Sequence, residues 1–196
     1  MATTSVFFAG VGGQGIVLGS KILAQAAFSA GCMVKECELH GMAQRGGSVV
    51  SHIRFGEEVH SPLIPQGKAD FLIVMEALEG LRYTCYLKPG ATVILNSRQI
   101  IPSTVTQGSA IYPENISDKF RQMGYRVVEI DAAEIARQSG NPKGENIVLI
   151  GALSSQLKFN EQIWIETITD SVPPKTIEQN IDSFNKGRQF SAAALS

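Results

Sequence analysis

The sequence predicts an α/β fold: a Rossmann-like, doubly wound and mostly parallel sheet with one inserted hairpin. Short apolar runs alternate with segments of helical spacing along most of the chain, which is the pattern of α/β domains. The first apolar run, residues 5–9, leads into four glycines within six positions and then into a helix-like segment, residues 16–30. A strand, a glycine-rich turn and a helix in this order are typical of the first unit of such a sheet.

Runs of β-branched and other apolar residues predict the strands. They are residues 5–9, 33–39, 48–55, 69–75, 92–96 and 126–130. A short strand over residues 58–60 is expected to pair with residues 48–55 through a turn at Gly56-Glu57. This pair is the predicted inserted hairpin.

Helical spacing predicts the helices. They are residues 16–30, 78–85, 116–123, 132–139 and 146–158, followed by a last helix from Pro173-Pro174 to about residue 186. Residues 146–158 are apolar nearly all round, which is typical of a helix buried within a domain or against a partner. Residues 100–115 are expected to be irregular, and the final FSAAALS is expected to be a loose tail. No repeat or linker interrupts the sequence, so we expect residues 1–196 to form a single domain.

Composition narrows the class of protein. Charged residues make up 18% of the chain and the net charge is −1, so the basic face that nucleic-acid binding requires is not expected. The apolar runs are too short to span a bilayer and the N-terminus lacks a basic signal-peptide region. The three cysteines, Cys32, Cys37 and Cys85, form no Cys-x-x-Cys pair. We therefore expect a cytoplasmic protein without a membrane anchor, a bound metal or a structural disulfide.

The glycine loop GVGGQG predicts an anion site. Free N–H groups and the positive end of the helix dipole face whatever lies at such a loop. Its spacing also matches a dinucleotide-binding loop, and Glu36 and Glu38 stand about where an NAD-binding domain holds a ribose. A tight turn without a ligand is the structural alternative. A P-loop is excluded, because no Gly-Lys-Ser/Thr follows the glycines.

A second loop, HGMAQRGG, covers residues 40–47. Loops that follow neighbouring parallel strands open at one edge of the sheet, so Arg45 is expected to face the same anion as the glycine loop. In the strand that follows, His52 and Arg54 share a face and either line a site or are held by neighbouring groups. His40 and His60 are weaker candidates.

Four segments carry a resemblance to a known family: GVGGQGIVLGSKILAQAA, ECELHGMAQRGGSVVSHIRFG, VHSPLIPQGKADFLIVMEALEGLR and NIVLIGAL. Over about residues 5–188 the chain resembles the small (beta or gamma) subunit of 2-oxoacid:ferredoxin oxidoreductases, and in particular that of the indolepyruvate enzymes. The segment HGMAQRGGSVVSH is its most specific part. The family uses thiamine diphosphate, Mg²⁺ and iron–sulfur clusters to decarboxylate a 2-oxoacid, passing electrons to ferredoxin and the acyl group to coenzyme A.

The resemblance implies a division of labour between subunits. This chain has no Gly-Asp-Gly motif for thiamine diphosphate, and three scattered cysteines cannot hold a cluster. Thiamine diphosphate, Mg²⁺ and the clusters are therefore expected on a larger partner subunit, with ferredoxin reached through the complex. No catalytic residue is expected here, and the chain alone is expected to be inactive.

The resemblance implies two roles for this chain, assembly of the complex and binding of coenzyme A. The matching positions are Gly12, Gly13, Gln14 and Gly15 in the first loop and Gln44, Arg45, Gly46 and Gly47 in the second. One arginine and several backbone amides suit the phosphates of coenzyme A. In the second loop the chain departs from the pyruvate enzymes, which have lysine and serine near Gln44-Arg45.

Three other interpretations stay open at this point. One is a free-standing NAD(P)- or FAD-binding Rossmann domain. Another is the gamma subunit of a 2-oxoglutarate, 2-oxoisovalerate or pyruvate enzyme, because nothing in the sequence forms a recognisable indole pocket. The last is a purely structural subunit whose glycine loop only packs.

Overall fold

The structure, a computed structural model, describes residues 2–41 and 47–195. Its strands form a single six-stranded sheet within those ranges, in the spatial order β2-β3-β1-β4-β5-β6. The strands are β1 (Thr4–Val11), β2 (Met33–His40), β3 (Ser48–Gly56), β4 (Ala69–Val74), β5 (Leu87–Asn96) and β6 (Arg126–Ile130). β3 pairs antiparallel with both β1 and β2, whereas β1, β4, β5 and β6 pair in parallel.

Helices cover both faces of this sheet. They are α1 (Ile16–Ser29), α2 (Ala77–Arg82), α3 (Ser103–Thr106), α4 (Ile116–Gln122), α5 (Ala132–Gln138), α6 (Glu145–Ser154), α7 (Glu161–Ser171) and α8 (Ile177–Leu195). Buried residues of α1, α5, α6, α7 and α8 form one core with the sheet, and those of α2 and α4 form a second core on the other face. The predicted doubly wound, mostly parallel α/β sheet is confirmed.

The predicted pairing of the inserted hairpin is wrong. Residues 58–60 form no strand, and the hairpin is made by β2 and β3. β3 is buried along nearly its whole length and lies inside the sheet, with a ladder on each side. The register Ser5↔Arg54 and Phe7↔His52 with β1 supplies the second ladder.

Two further differences from the prediction lie in the C-terminal third. Helix α7 was not predicted; its Trp164 is fully buried. The final residues are no loose tail within the described range, because α8 continues to Leu195. Ser155 after α6 donates a hydrogen bond to Ser191 (Oγ to Oγ, 3.1 Å), and Ser191 is fully buried. This alanine-rich segment is therefore helical both by local propensity and by its packing beside α6.

α6 and α8 cross at two glycines. Every residue of α6 is buried. A Cβ atom at Gly151 would lie 2.1 Å from the carbonyl oxygen of Phe184, and one at Gly187 would lie 2.1 Å from that of Val148. The backbones thus touch without intervening side chains. Within the described ranges, no helix combines the length and the apolar character needed to cross a membrane.

Replacing Gly151 by alanine tests this crossing. The new methyl group meets backbone rather than a movable side chain, so Gly151→Ala is expected to lower the free energy of unfolding by about 3 kcal/mol, the upper end of the usual overpacking cost. Equilibrium urea unfolding measures the change. The matched control is Gly19→Ala in α1, whose Cβ would lie 3.5 Å from Phe8 Cε1, an ordinary contact. It is expected to be neutral or slightly stabilising, and equal losses in both variants would contradict the account.

Candidate functional site

The glycine loop lies where the direction of the sheet changes. From β1 the chain passes through α1 to β2 on one side, while β4 lies on the other side of β1. Ligands of open α/β sheets bind at such a point, beyond the carboxyl ends of the strands. In the described part of the chain, α1 has neither a side-chain N-cap nor an acidic residue in its first turn. The positive end of the α1 dipole is therefore not neutralised by its own residues.

The glycines of this loop have separate roles. A Cβ atom at Gly10 would lie 2.7 Å from Met75 Cβ, and one at Gly15 would lie 2.8 Å from Asn146 Nδ2. These two glycines allow close packing, and Asn146 Nδ2 donates to the Gly15 carbonyl at 3.1 Å. A Cβ atom at Gly13 would meet no atom of the described residues within 4 Å, yet this residue has φ +100°. Gly13 is thus held in a left-handed conformation on the open side of the loop.

Gln14 is bound to the protein at every polar group of its side chain. Its Oε1 accepts from the Val11 N–H (2.8 Å) and its Nε2 donates to the Met75 carbonyl (2.8 Å). The side chain therefore ties the loop to the ends of β1 and β4. Sequence reasoning assigned Gln14 to ligand contact and missed this role, because the partner at Met75 is distant in the chain.

The backbone amides of the loop fall into two groups, those that donate within the protein and those without an acceptor. Gly12 N–H donates to the Gly47 carbonyl (2.9 Å), and Gln14 N–H donates to the Val11 carbonyl (3.2 Å). The N–H groups of Gly13 and Gly15 have no acceptor among the described residues. The amides of Ile16, Val17 and Leu18 in the first turn of α1 also have no acceptor among the described residues, and together with Gly13 and Gly15 they are the donors left for an anion.

The Gly12–Gly47 hydrogen bond joins the two predicted loops. The expectation that both open at one edge of the sheet is confirmed by this contact and by the pairing of Val11 with Ser48. Gln44, Arg45 and Gly46 lie outside the described residues, so their predicted role stays a prediction. His40, at the end of β2, is exposed at the same edge.

Two recesses flank the glycine loop. The first, the apolar cleft, has a volume of about 480 Å³ and is lined by Val11, Ile16, Val17, His40 and Val49 together with the glycines. The second, the polar cleft, has a volume of about 510 Å³, with Gly12, Gly13 and Gln14 on one side and Arg98, Ile100, Lys143 and Glu145 on the other. The loop therefore separates an apolar surface from a charged one.

Cations in the polar cleft come from distant parts of the chain. Arg98, just beyond β5, forms an ion pair with Glu145, whose other oxygen accepts from Asn96 Nδ2 at 2.9 Å. Lys143 is exposed in the turn before α6 and has no ion-pair partner among the described residues. Arg98 and Lys143 leave a net positive charge opposite Gly13. No motif in the sequence marks them, and sequence reasoning missed both.

Glu76, at the end of β4, is buried but fully engaged. Its carboxylate accepts from Tyr112 Oη (2.7 Å), from the Glu79 N–H (2.9 Å) and from the Ile100 N–H (3.2 Å). Burial, with the adjacent Glu76 carboxylate, raises the pKa of the Tyr112 hydroxyl. These bonds make Glu76 the N-cap of α2 and an anchor for residues 98–100, which include the cation Arg98.

The acidic residues of the NAD interpretation lie away from the loop. β3 separates β2 from β1, and neighbouring strands are about 4.8 Å apart, so β2 lies about 10 Å from β1. Glu36 lines a different groove, between α1, β2 and α7, and pairs with Ile53 of β3. The strand end beside the apolar cleft carries His40. The carboxylate that would hold a ribose is therefore not next to the glycines.

The other histidine and arginine candidates are held by neighbours. His52 is 2% exposed, its Nδ1 accepts from the Ile64 N–H at 3.1 Å, and burial lowers the pKa of its imidazole. Arg54 donates to the Ser61 carbonyl at 3.0 Å. His60 is exposed beside Glu58. Arg54 therefore fastens a loop, whereas His52 lines a third recess, of about 530 Å³.

Comparison with known proteins agrees with this architecture. A family model described as pyruvate ferredoxin/flavodoxin oxidoreductase matches residues 5–190. The chain is 42% identical to the indolepyruvate oxidoreductase subunit IorB of Thermococcus kodakarensis, covering 95% of each chain.

Solved structures show the same fold. The gamma subunit of a keto/oxoacid ferredoxin oxidoreductase from Geobacter sulfurreducens matches with a TM-score of 0.73 and 22% identity, over 97% of this chain and 99% of that one. The 2-oxoglutarate:ferredoxin oxidoreductase of Magnetococcus marinus, solved with 2-oxoglutarate, coenzyme A and succinyl-CoA bound, matches with a TM-score of 0.76 and 22% identity, over 98% of this chain and 32% of that one.

These matches favour the resemblance seen in the sequence over the alternative of a free-standing NAD(P)- or FAD-binding domain. The coverage reaches almost the whole chain, and the position of Glu36 in a separate groove argues independently against a nicotinamide site. The chain belongs to the pyruvate ferredoxin/flavodoxin oxidoreductase family, as a small subunit of a 2-oxoacid:ferredoxin oxidoreductase.

Proposed function

We propose that this chain is the non-redox subunit of an indolepyruvate or aryl-pyruvate:ferredoxin oxidoreductase, and that its glycine loop holds the phosphates of coenzyme A for acyl transfer. The observation that carries the coenzyme A proposal has two parts. The amides of Gly13 and Gly15 have no acceptor among the described residues, and Gly13 lines the polar cleft that has Arg98 and Lys143 on its far side. The preference for an aryl substrate rests on the 42% identity to the Thermococcus subunit.

The charge arrangement suits a pyrophosphate or a 3′-phosphate. Charge-assisted hydrogen bonds from a cation and from helix N-terminal amides are among the stronger polar contacts in proteins. Lys143 lies on the rim, where its ammonium can move toward an anion, whereas Glu145 holds Arg98 in place. The predicted Arg45 would add a further charge from the second loop.

The apolar cleft extends the same proposal to the rest of the ligand. It lies directly beside Gly13 and Gly15 and is lined by aliphatic side chains. Coenzyme A joins its phosphates to a long, mainly uncharged pantetheine arm, so a charged and an uncharged surface are both required. The two clefts on either side of one loop meet that requirement.

The carbon and redox chemistry is proposed to lie on a larger partner subunit. Thiamine diphosphate, Mg²⁺ and iron–sulfur clusters would be held there, and ferredoxin would be reduced through the complex. In the described ranges no group of three or more His, Cys, Asp and Glu residues could hold a metal ion, and Cys32, Cys37 and Cys85 are free thiols. A cytoplasmic location follows from the proposal, because ferredoxin and coenzyme A are cytoplasmic co-substrates.

Removing the charge of Lys143 tests the phosphate contact. In the assembled complex, Lys143→Gln is expected to weaken coenzyme A binding about fivefold, with a shallower salt dependence, because one exposed charge contact is lost. Isothermal titration at two salt concentrations measures it. Lys158→Gln makes the same charge change at an exposed residue beyond the far end of α6 and is expected to leave binding unchanged. Equal affinity in Lys143→Gln and wild type would argue against the polar cleft.

The role of Gln14 gives a second test. Gln14→Met keeps the shape of the side chain but loses both loop-tethering hydrogen bonds, so it is expected to lower the free energy of unfolding by about 2 kcal/mol and to weaken coenzyme A binding. Gln25→Met, at an exposed position of α1, is the control. A loss of affinity with unchanged stability would show instead that Gln14 contacts the ligand directly.

The placement of the carbon and redox chemistry on a partner subunit is tested by assaying the chain with and without that partner. The purified chain is expected to reduce no ferredoxin with any 2-oxoacid, and a native pull-down is expected to recover a larger iron–sulfur subunit. The recovered complex is then assayed with indolepyruvate, phenylpyruvate, pyruvate, 2-oxoglutarate and 2-oxoisovalerate. Full turnover by the isolated polypeptide would overturn the proposal, and a preference for an aliphatic 2-oxoacid would overturn its substrate class.

A further inference from the structure

Strand β2 is an open edge of the sheet. It is first in the strand order and pairs with β3 in an unbroken antiparallel register, from Met33↔Gly56 to His40↔Val49. In such a ladder about half of the backbone N–H and C=O groups face the neighbouring strand and the others point outwards. Within the described ranges, no strand or helix bonds to those outward groups. Their hydrogen bonds are therefore available to another chain.

The form of β2 suits the addition of a further strand. It contains no proline and no bulge, and its eight residues exceed the five of β6 at the opposite edge. Proteins usually shorten, kink or cover such an edge, because it is a template for pairing. Only its charged residues restrict what can pair with it, and they decide between the possible partners.

A groove of about 600 Å³ lies beside β2, on the sheet face that carries α1. We call it the acidic groove and define it by Glu36 of β2, Lys21 of α1, and Glu166 and Asp170 of α7. Three carboxylates and one ammonium group give it a net negative charge. None of these four side chains forms an ion pair with another described residue. The groove therefore attracts cationic groups from outside the chain.

The charge of Glu36 is left uncompensated by the fold. Its side chain is partly buried, and its Oε1 is buried without a hydrogen-bond partner in the described part of the chain. Its neighbour on β3 is Ile53, a core residue that offers no side-chain donor. A carboxylate that is partly removed from water without a donor costs free energy. A lysine or arginine entering the groove would remove that cost.

The two faces of β2 require different partners. Successive side chains of a strand point to opposite faces, so Glu36 and Glu38 share the face of the acidic groove. Met33 and Leu39 share the other face, with Lys35 between them, and are 47% and 48% exposed. A strand laid along β2 therefore meets carboxylates on one face and two exposed apolar side chains on the other.

A second copy of this chain does not fit this edge. Two copies of β2 that extend one sheet about a two-fold axis pair antiparallel, with one residue opposite its own copy. Centring the pair on Lys35, Glu36 or Glu38 places two identical charges opposite each other. Centring it on Cys37 places Glu36 opposite Glu38 twice. Like charges directly opposite are destabilising, so the charges of β2 select against self-pairing.

We propose that β2 accepts a strand of the larger partner subunit, in which lysine or arginine alternates with apolar residues, and that the basic side chains enter the acidic groove. The inference rests on the proposed function for the existence of that subunit, and it adds where and how the two chains join. Main-chain hydrogen bonds extend the sheet, and the alternating side chains provide the specificity, as in other cases of strand addition.

Hydrogen–deuterium exchange of the full chain, alone and in the complex recovered with the larger subunit, tests the strand addition. The amides of residues 33–38 that point outwards are expected to exchange at least about tenfold more slowly in the complex, because they gain acceptors. The amides of β6 (Arg126–Ile130) are the internal control and are expected to be unchanged. Equal exchange of β2 in the two samples would show that no strand is added there.

Two variants of Glu36 test the acidic groove. Glu36→Lys is expected to raise the dissociation constant of the complex about tenfold at low salt, and Glu36→Gln about threefold, with smaller effects at high salt. Biolayer interferometry with the larger subunit measures both, and circular dichroism checks that each variant folds. Glu129→Lys makes the same charge reversal on β6 and is expected to bind as wild type does. Wild-type affinity in both Glu36 variants would overturn the role of the groove.

The remaining outcomes separate this inference from the proposed function. If the wild-type chain recovers no larger subunit, the proposed function fails and this inference fails with it. If the subunit is recovered while β2 gains no protection, only this inference fails. If the isolated chain sediments as a dimer whose β2 amides are already protected, a second copy occupies the edge and the inference is overturned.

Discussion

Because β3 lies between β1 and β2 and pairs antiparallel with both, it determines where each part of the site lies. Its first residue pairs with Val11, which brings Gly47 within hydrogen-bond distance of Gly12 and joins the two glycine segments. Its width moves β2 away from β1, which removes Glu36 from the position of a ribose-binding acid. Its other face carries His52, which lines the recess of about 530 Å³. Because β3 is inserted, a loop whose spacing matches a dinucleotide-binding loop lies in a site without Glu36, the expected ribose-binding acid.

The glycine loop itself is held from three directions. Asn146 of α6 fixes the Gly15 carbonyl, Gln14 fixes the ends of β1 and β4, and Gly47 accepts from Gly12. Among the described residues, none lies within 4 Å of a Cβ atom built at Gly13, so the loop is open there. This arrangement is what preorganised anion binding requires, because donors already in place need not be ordered when the ligand arrives. The close contacts at Gly10 and Gly15 show that a glycine-rich loop can serve packing and binding at once.

The charged groups of this site are also held in place by neighbouring residues. Glu145 and Asn96 hold Arg98, and Glu76 holds the backbone of Ile100 nearby. Asn96 is the last residue of β5 and Glu145 the first of α6, whereas Arg98 and Ile100 lie in the loop that follows β5. The loops at the carboxyl edge of the sheet therefore supply the polar groups, while the rigid elements behind them set the distances.

The sequence by itself determined the alternation of strands and helices and the position of the glycine loop. Both depend on neighbours in the chain: apolar periodicity, and glycines at positions that close packing or positive φ requires. The bounds of β6, for example, match its apolar run, and α1 begins directly after the last glycine.

Only the tertiary structure decided which distant segments meet. The place of β3 in the sheet, the two-ended bonding of Gln14 and the cations Arg98 and Lys143 depend on contacts between residues far apart in the chain. The same holds for α7, whose β-branched residues carry a weak helical signal and which packs on α1. The end of α8 is alanine-rich, which favours a helix locally, and its Ser191 is buried beside the end of α6. Local propensity is readable from a sequence because its causes are local, whereas pairing and packing depend on which surfaces the whole fold brings together.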